Sequence, residues 1–323
     1  MDKRAIVQFT HNMKSLLTLD SALYKQWVFR YTFLELEKDL GIKGDISTKF
    51  MLENGEMQAK YKFVTKSEGV LAGLEELRYF LVESDADFKP QIKGKLDLKL
   101  NFKDGDKVKA GDVIGEISGN AADILAVERV CLNLIMRMSS VATHTAALLA
   151  GLGDSPIILT PTRKTLWGLL DKKAVSFGGG GTHRLNLSDS IIIKDTHLDL
   201  FNDPFVLIGE RLAEAEPDVR FFEVEVSHEE GFLRISNVFG ELLRAGKMKA
   251  VPVIMFDNFT PADIRAVLDV VKGSPYFDSI IYEASGGVNG ANLKEYAGCG
   301  VDVVSMSDLC LGAGKFDVSL KVG

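Results

Sequence analysis

Six short β-branched runs recur between helical stretches in the second half of the chain: PIILT (156–160), SIIIK (190–194), FFEVEV (221–226), VPVIMFD (251–257), SIIYEAS (279–285) and VDVVSM (301–306). Strands that alternate with helices form right-handed βαβ units, so this pattern restricts the region to a parallel sheet or barrel. Most runs end at a functional side chain or a glycine: Arg163 and Lys164 just after the first, then Lys194, Glu225, Asp257 and Ser285-Gly286-Gly287. In parallel α/β architectures the C-terminal strand ends form the site, so these residues are expected to converge on one mouth.

The first half reads differently. Apolar positions at helical spacing from 12 to 40 (Leu16, Leu23, Trp27, Phe33, Leu36, Leu40 among them) predict one or two helices. From 56 to 102 the pattern turns strand-like, and Lys95–Phe102 alternate apolar and charged as a half-exposed antiparallel strand does. The glycines of GDKVKAGDVIGEISG (105–119) mark tight turns between short β segments. Together these suggest an antiparallel sheet with helices on one face. Residues 121–150 contain neither Gly nor Pro, so a long helix opens there and the domain boundary falls just before it.

Composition narrows the function. The formal charge is -7, and the chain carries no basic stripe, which argues against nucleic-acid partners. No run of apolar residues is long enough to span a bilayer and the N-terminus lacks a signal-peptide core, so a soluble protein is expected. Cys131, Cys299 and Cys310 are too few and scattered for a disulfide framework or a zinc site, and a reducing cytoplasm is the simplest compartment.

Against this acidic background, positive charge gathered in one place needs a reason. Arg129, Arg163, Lys164, Arg184 and Lys194, with His183, come from a helix and the loops after strands. A guanidinium grips a carboxylate or phosphate through two parallel hydrogen bonds, so the set suits a small, multiply anionic substrate. A solvated surface position is the ordinary reading for any one of them. Glu225 and Asp257 end apolar strands, where an unpaired carboxylate is costly; they are expected to face the site, to hold a divalent ion, sugar hydroxyls or an oxocarbenium-like carbon, or else to pair with a neighbouring cation. Ser285-Gly286-Gly287, before the helix-like NGANLKEY, suits a phosphate; Gly178–Gly181 do so less clearly, and either run serves equally as a turn. His144 reads as a helix-surface or core-edge residue, and His11 and His228 have no partners at metal-ligand spacing.

The ordered series GDIST (44–48), EGVLAGL (68–74), ER..LN (128–133), TRKT (162–165), HRLNLSD (183–189), IIIKDTH (191–197), EVEV (223–226), FDN (256–258), EASGG (283–287) and GVDVVS (300–305) resembles the quinolinate phosphoribosyltransferase family. The resemblance implies an N-terminal α/β sandwich, residues 1–120 with the tail 307–323 returning to it, and an incomplete α/β barrel of parallel strands over 121–306. It implies joining of quinolinate to phosphoribosyl pyrophosphate, giving nicotinate mononucleotide, pyrophosphate and carbon dioxide for NAD biosynthesis. It also implies magnesium and a homodimer in which Arg129 reaches the partner's site. Arg129, Arg163, His183, Arg184 and Lys194 would hold the two carboxylates and Lys164 the pyrophosphate side. Glu225 and Asp257 would meet ribose and magnesium, and Ser285 and Gly286, with Gly287 beside them, the 5-phosphate.

Three positions depart from that family's pattern. Pro161 stands where Asp is usual, Thr196 where Asn is usual, and Ser307–Leu311 where the last loop reads roughly Gly-Ala-Leu-Thr-His. The last change removes a glycine and a histidine from the expected 5-phosphate site and sets Asp308 there, where its charge is unfavourable. Two alternatives follow: an enzyme for nicotinate or another heterocycle, or a non-catalytic homologue that binds a small anion.

Overall fold

The computed structural model describes residues 2–52, 57–84, 92, 94–214 and 218–323. Glu56, where the strand-like stretch was expected to open, and Lys93 lie outside them. The chain forms two compact units that interleave along the sequence. The first comprises Met1–Met13, Ala147–Leu166 and Gly180–Gly312, the second Lys14–Ala146, Trp167–Gly179 and Ala313–Gly323.

Strands are numbered in chain order. In the second unit β1 (Gln58–Thr65), β3 (Asp97–Leu100), β5 (Val113–Asn120) and β12 (Val318–Val322) make an antiparallel sheet of order β12-β1-β5-β3, while β2 (Gly69–Val70) pairs with β4 (Lys107–Val108). The turns before β4 and β5 are built alike. Gly105 and Gly111 take positive φ (91° and 98°), and the carboxylates of Asp106 and Asp112 accept the backbone N–H of Lys103 and Lys109. β5 ends at Asn120, whose side chain accepts the N–H groups of Ala122 and Asp123 and so caps the helix Ala121–Leu152.

A charged network crosses the core of this unit. Lys173 is buried and bonds to Glu75 and to Glu76 (2.6 Å), and the Tyr24 hydroxyl donates to Glu76 (2.7 Å). Nearby, Asp104 accepts the N–H groups of Leu74 (2.8 Å) and Glu75 (3.0 Å). Burial, then the charge of Glu76, pushes the Asp104 carboxyl up to about 7. A carboxyl that holds its proton more tightly when folded costs stability as pH rises from its unfolded value, about 4, towards its folded one. Asp104→Asn removes that loss, at a constant cost for the amide facing the Glu75 N–H. The variant's melting temperature is therefore expected to gain on the parent's from pH 5 to pH 8; parallel melting curves across that range would refute the assignment.

In the first unit β6 (Ile158–Thr160), β7 (Ile191–Ile193), β8 (Phe221–Val226), β9 (Val251–Asp257), β10 (Ile281–Ser285) and β11 (Val303–Ser305) fall within the six β-branched runs. They pair in parallel in the order β6-β11-β10-β9-β8-β7. This is the cyclic order of a barrel opened between β6 and β7, and all C-terminal ends share one edge. The covering helices are cut by local signals. Glu229–Arg244 begins at His228, which accepts the Gly231 N–H, and buries Phe232, Ile235, Phe239 and Leu242 at helical spacing. Pro261–Val271 opens with a Thr260/Asp263 capping box and proline in its first turn.

The opening helix, Lys3–His11, belongs to this unit and packs at the other edge of the barrel. Lys3 pairs with Asp302 (3.0 Å), just before β11, and the His11 ring stacks on Phe221 (5.0 Å), the first residue of β8. Among the described residues no helix is long and apolar enough to cross a membrane.

Candidate active site

Parallel pairing brings the polar strand ends of the first unit together. Lys194 directly follows β7, Glu225 is the penultimate residue of β8, and Asp257 and Ser285 close β9 and β10, aligned residue for residue. Arg163 and Lys164 are exposed in the loop after β6, and the Lys164 N–H is held by the Thr162 hydroxyl (3.0 Å).

Arg184 differs from these exposed cations. It is 6% exposed, its Nη1 donates to the Ser190 carbonyl (3.2 Å), and its Nε has no hydrogen-bond partner among the described residues. Burial, then the neighbouring Arg163 guanidinium, lowers its proton affinity. A half-satisfied buried guanidinium beside a second one favours an incoming anion strongly, because the anion supplies both the missing acceptor and the missing charge. Lys194 bonds to the buried carboxylate of Glu225, the ion pair that the sequence left open as an alternative. Asp257 accepts from the Asn258 amide (2.8 Å). Arg129 is an exposed residue of the helix Ala121–Leu152 and belongs to the second unit.

His183 stands elsewhere than expected. Its Nδ1 accepts the Arg184 N–H (2.8 Å) and its Nε2 meets Glu283 (3.1 Å), so both ring nitrogens are engaged and neither is left to grip a substrate carboxylate. With φ of 52° it shares with Asn258 (59°) a left-handed backbone that side chains disfavour. Its neighbours were missed. His11, read from sequence as lacking partners, meets Glu283 through Nε2 (3.0 Å), and Glu223 lies 3.5 Å from His183. All four side chains are buried, with ligand atoms within 4.8 Å of one another. Burial alone would raise Glu283, but His183 and His11 overrule it and hold it below the usual carboxylate range; burial and the Glu283 charge push Glu223 well above that range. The legible signal was a glutamate inside each of two buried strand runs; the histidine spacing, 11 to 183, carries none.

The glycine runs separate. At Gly286, φ is 84° and an added Cβ would lie 2.7 Å from the Asn258 backbone nitrogen, so only glycine fits this turn after β10. NGANLKEY forms a single helical turn, Leu293–Tyr296, too short for the dipole anticipated at its start. Gly178 and Gly181 are required by packing: added Cβ atoms would meet the carbonyls of Ala142 (2.4 Å) and His11 (2.5 Å) respectively. Asp308 accepts the Gly290 N–H (3.1 Å), so its carboxylate stands at the loop that follows Ser285–Gly287. Cys131, Cys299 and Cys310 are buried thiols of the core.

An open α/β barrel with cations and carboxylates at its C-terminal strand ends defines an enzyme of small anionic substrates. Residues 45–139 match the quinolinate phosphoribosyl transferase N-terminal domain and residues 141–321 its C-terminal domain. The chain is 32% identical over 294 residues to a probable carboxylating nicotinate-nucleotide pyrophosphorylase of Methanothermobacter thermautotrophicus, covering 89% of this chain and 96% of that one. It is 33% identical over 297 residues to the Bacillus subtilis protein of the same name, covering 91% and 92%. The crystal structure of NadC from Streptococcus pyogenes superposes with a TM-score of 0.73 at 31% identity, over 90% of this chain and 95% of that one. This chain belongs to the quinolinate phosphoribosyltransferase family.

Proposed function

We propose that the protein transfers the phosphoribosyl group of phosphoribosyl pyrophosphate to quinolinate, releasing pyrophosphate and carbon dioxide and forming nicotinate mononucleotide for NAD synthesis. The observation that carries this reading is the buried, half-satisfied guanidinium of Arg184 beside Arg163. These two arginines and Lys194 hold the acceptor's two carboxylates and turn its ring nitrogen toward the anomeric carbon. The nitrogen lone pair forms the new bond as the pyrophosphate oxygen departs with its electron pair. Positive charge on the ring nitrogen then stabilises the electron pair left when the adjacent carboxylate leaves as carbon dioxide, and that carbon takes up a proton. Lys164 faces the pyrophosphate, and Ser285, Gly286 and Gly287 the 5-phosphate.

Two carboxylates on neighbouring strand ends suit magnesium, which keeps waters and substrate phosphates in its shell. Glu225 and Asp257 would hold it, and the ion would neutralise charge on the leaving pyrophosphate. In the cytoplasmic homodimer that completes this reading, Arg129 serves the partner's site.

Purified protein with quinolinate, phosphoribosyl pyrophosphate and magnesium is expected to yield nicotinate mononucleotide; no product would sink the reading, and product from nicotinate alone would move the acceptor. One observation favours a second reading, a small-anion binder without turnover: the Asp308 carboxylate occupies the Gly290 N–H beside the 5-phosphate loop. Calorimetry separates the two. The enzyme gives heat with phosphoribosyl pyrophosphate, and the binder gives heat with quinolinate alone.

A further inference from the structure

The buried cluster at the base of the barrel is not used by the chemistry above, and one of its carboxylates, Glu223, has no hydrogen-bond partner among the described residues. Arg184 donates its N–H to His183 Nδ1 (2.8 Å), so the proton of neutral His183 sits on Nε2, where it faces Glu283 Oε1 (3.1 Å). His11 meets the Thr10 hydroxyl through Nδ1 (2.7 Å) and Glu283 Oε2 through Nε2 (3.0 Å). With its proton on Nδ1, facing Thr10, the Nε2 lone pair of His11 is available to an ion.

The other tautomer, with His11 Nε2–H donating to Glu283, satisfies that contact and still leaves Glu223 unanswered. Glu223 is fully buried, and among the described residues neither of its carboxylate oxygens makes a hydrogen bond; His183 Nε2 is 3.5 Å from one of them. A buried neutral carboxyl needs an acceptor for its proton and a buried ionised one needs positive charge, and Glu223 has neither in hydrogen-bond contact. A divalent ion supplies the positive charge that Glu223 lacks: two carboxylates neutralise it, and an imidazole lone pair completes three protein ligands.

We propose that His11, Glu223 and Glu283 form a buried binding site for a divalent transition metal of the zinc class, with His183 donating its Nε2–H to Glu283 from outside the ligand set. Such a donor to a ligating carboxylate is the usual way a metal ligand is oriented. Bonds of about 2.0–2.2 Å set tetrahedral ligands roughly 3.3 Å apart, so the 4.8 Å spread of the cluster must contract by about 1.5 Å at its widest. Residues 223 and 225 share a face of β8, which separates this site from the magnesium carboxylates by one layer of the barrel. The ion would tie the opening helix to β8 and β10, a structural duty independent of phosphoribosyl transfer.

The test uses full-length, tag-free protein. Elemental analysis after dialysis should find one zinc per chain, and cobalt(II) added to the chelator-stripped protein should develop the visible d–d bands of a low-symmetry nitrogen–oxygen site. Zinc should raise the melting temperature of the stripped protein. His11→Ala should weaken binding on the order of 100-fold or more, beyond what loss of an outer-shell partner causes. Glu223→Gln, which keeps the shape of the side chain, should do the same and decides the matter if the histidine variant does not fold. Metal-free protein that gives no cobalt bands, or binding unchanged in both variants, would overturn the proposal. Because metal content and spectra are read without turnover, failure here is distinct from failure of the proposed reaction.

Discussion

Arg184→Ala is expected to lower kcat/KM for quinolinate by about 30-fold to several thousand-fold, the equivalent of about 2–5 kcal/mol for truncating one partner of a buried charge pair. The fold should survive. Arg184 gives up one hydrogen bond, to the Ser190 carbonyl at 3.2 Å, and its removal relieves the repulsion from Arg163, although the attraction of Glu223 and Asp189 is also lost. The loss should appear in quinolinate affinity while the affinity for phosphoribosyl pyrophosphate is kept, since the donor is held by other strand ends. Arg184→Lys should recover little, because an ammonium cannot reproduce the two-pronged grip. Quinolinate affinity unchanged in the alanine variant, measured by calorimetry beside circular dichroism, would remove Arg184 from the pocket.

The parallel barrel was legible because its signal is local. A buried parallel strand reads as a short β-branched run, and FFEVEV and VPVIMFD became β8 and β9 with their bounds unchanged. The polar strand ends followed from the same pattern, since a carboxylate closing an apolar run has to face something. The antiparallel sheet was legible for a similar reason: the alternation at 95–102 yields β3, and the two Gly-Asp turns lead into β4 and β5.

What stayed hidden depended on contacts between distant parts of the chain. His11 and Glu283 are 272 residues apart, and nothing in the local sequence of the opening helix announces that its last residue enters the barrel. That unseen partner also changes His183. A histidine beside a buried arginine reads as a second hand on the substrate, yet once Glu283 and the Arg184 N–H take its nitrogens it becomes a support for Arg184. The packing of Gly178 and Gly181 was hidden likewise. Their meaning lies in the carbonyls of Ala142 and His11 against them, which only the packed structure brings close.

The second large effect is expected on stability. Lys173 is 2% exposed and sits between Glu75 and Glu76, the latter fully buried and also bonded to the Tyr24 hydroxyl. Lys173→Met keeps the length of the side chain but leaves Glu76 buried without its cation, and breaking a buried pair from one side costs about 3–5 kcal/mol. At about 2–4 °C per kcal/mol for a chain somewhat shorter than this one, the melting temperature should fall by roughly 6–20 °C. Adding Glu76→Gln to Lys173→Met removes the stranded charge while keeping an acceptor for Tyr24, so the double variant should melt above the single one despite carrying one more substitution. This ordering tests the cause, because a simple packing defect at residue 173 would make the losses additive. If the double variant melts lower by the cost of Glu76→Gln alone, the charge pairing contributes nothing and the network is held by packing around the rings of Tyr24 and Phe177, whose centroids lie 4.7 Å and 5.8 Å from the Lys173 Nζ.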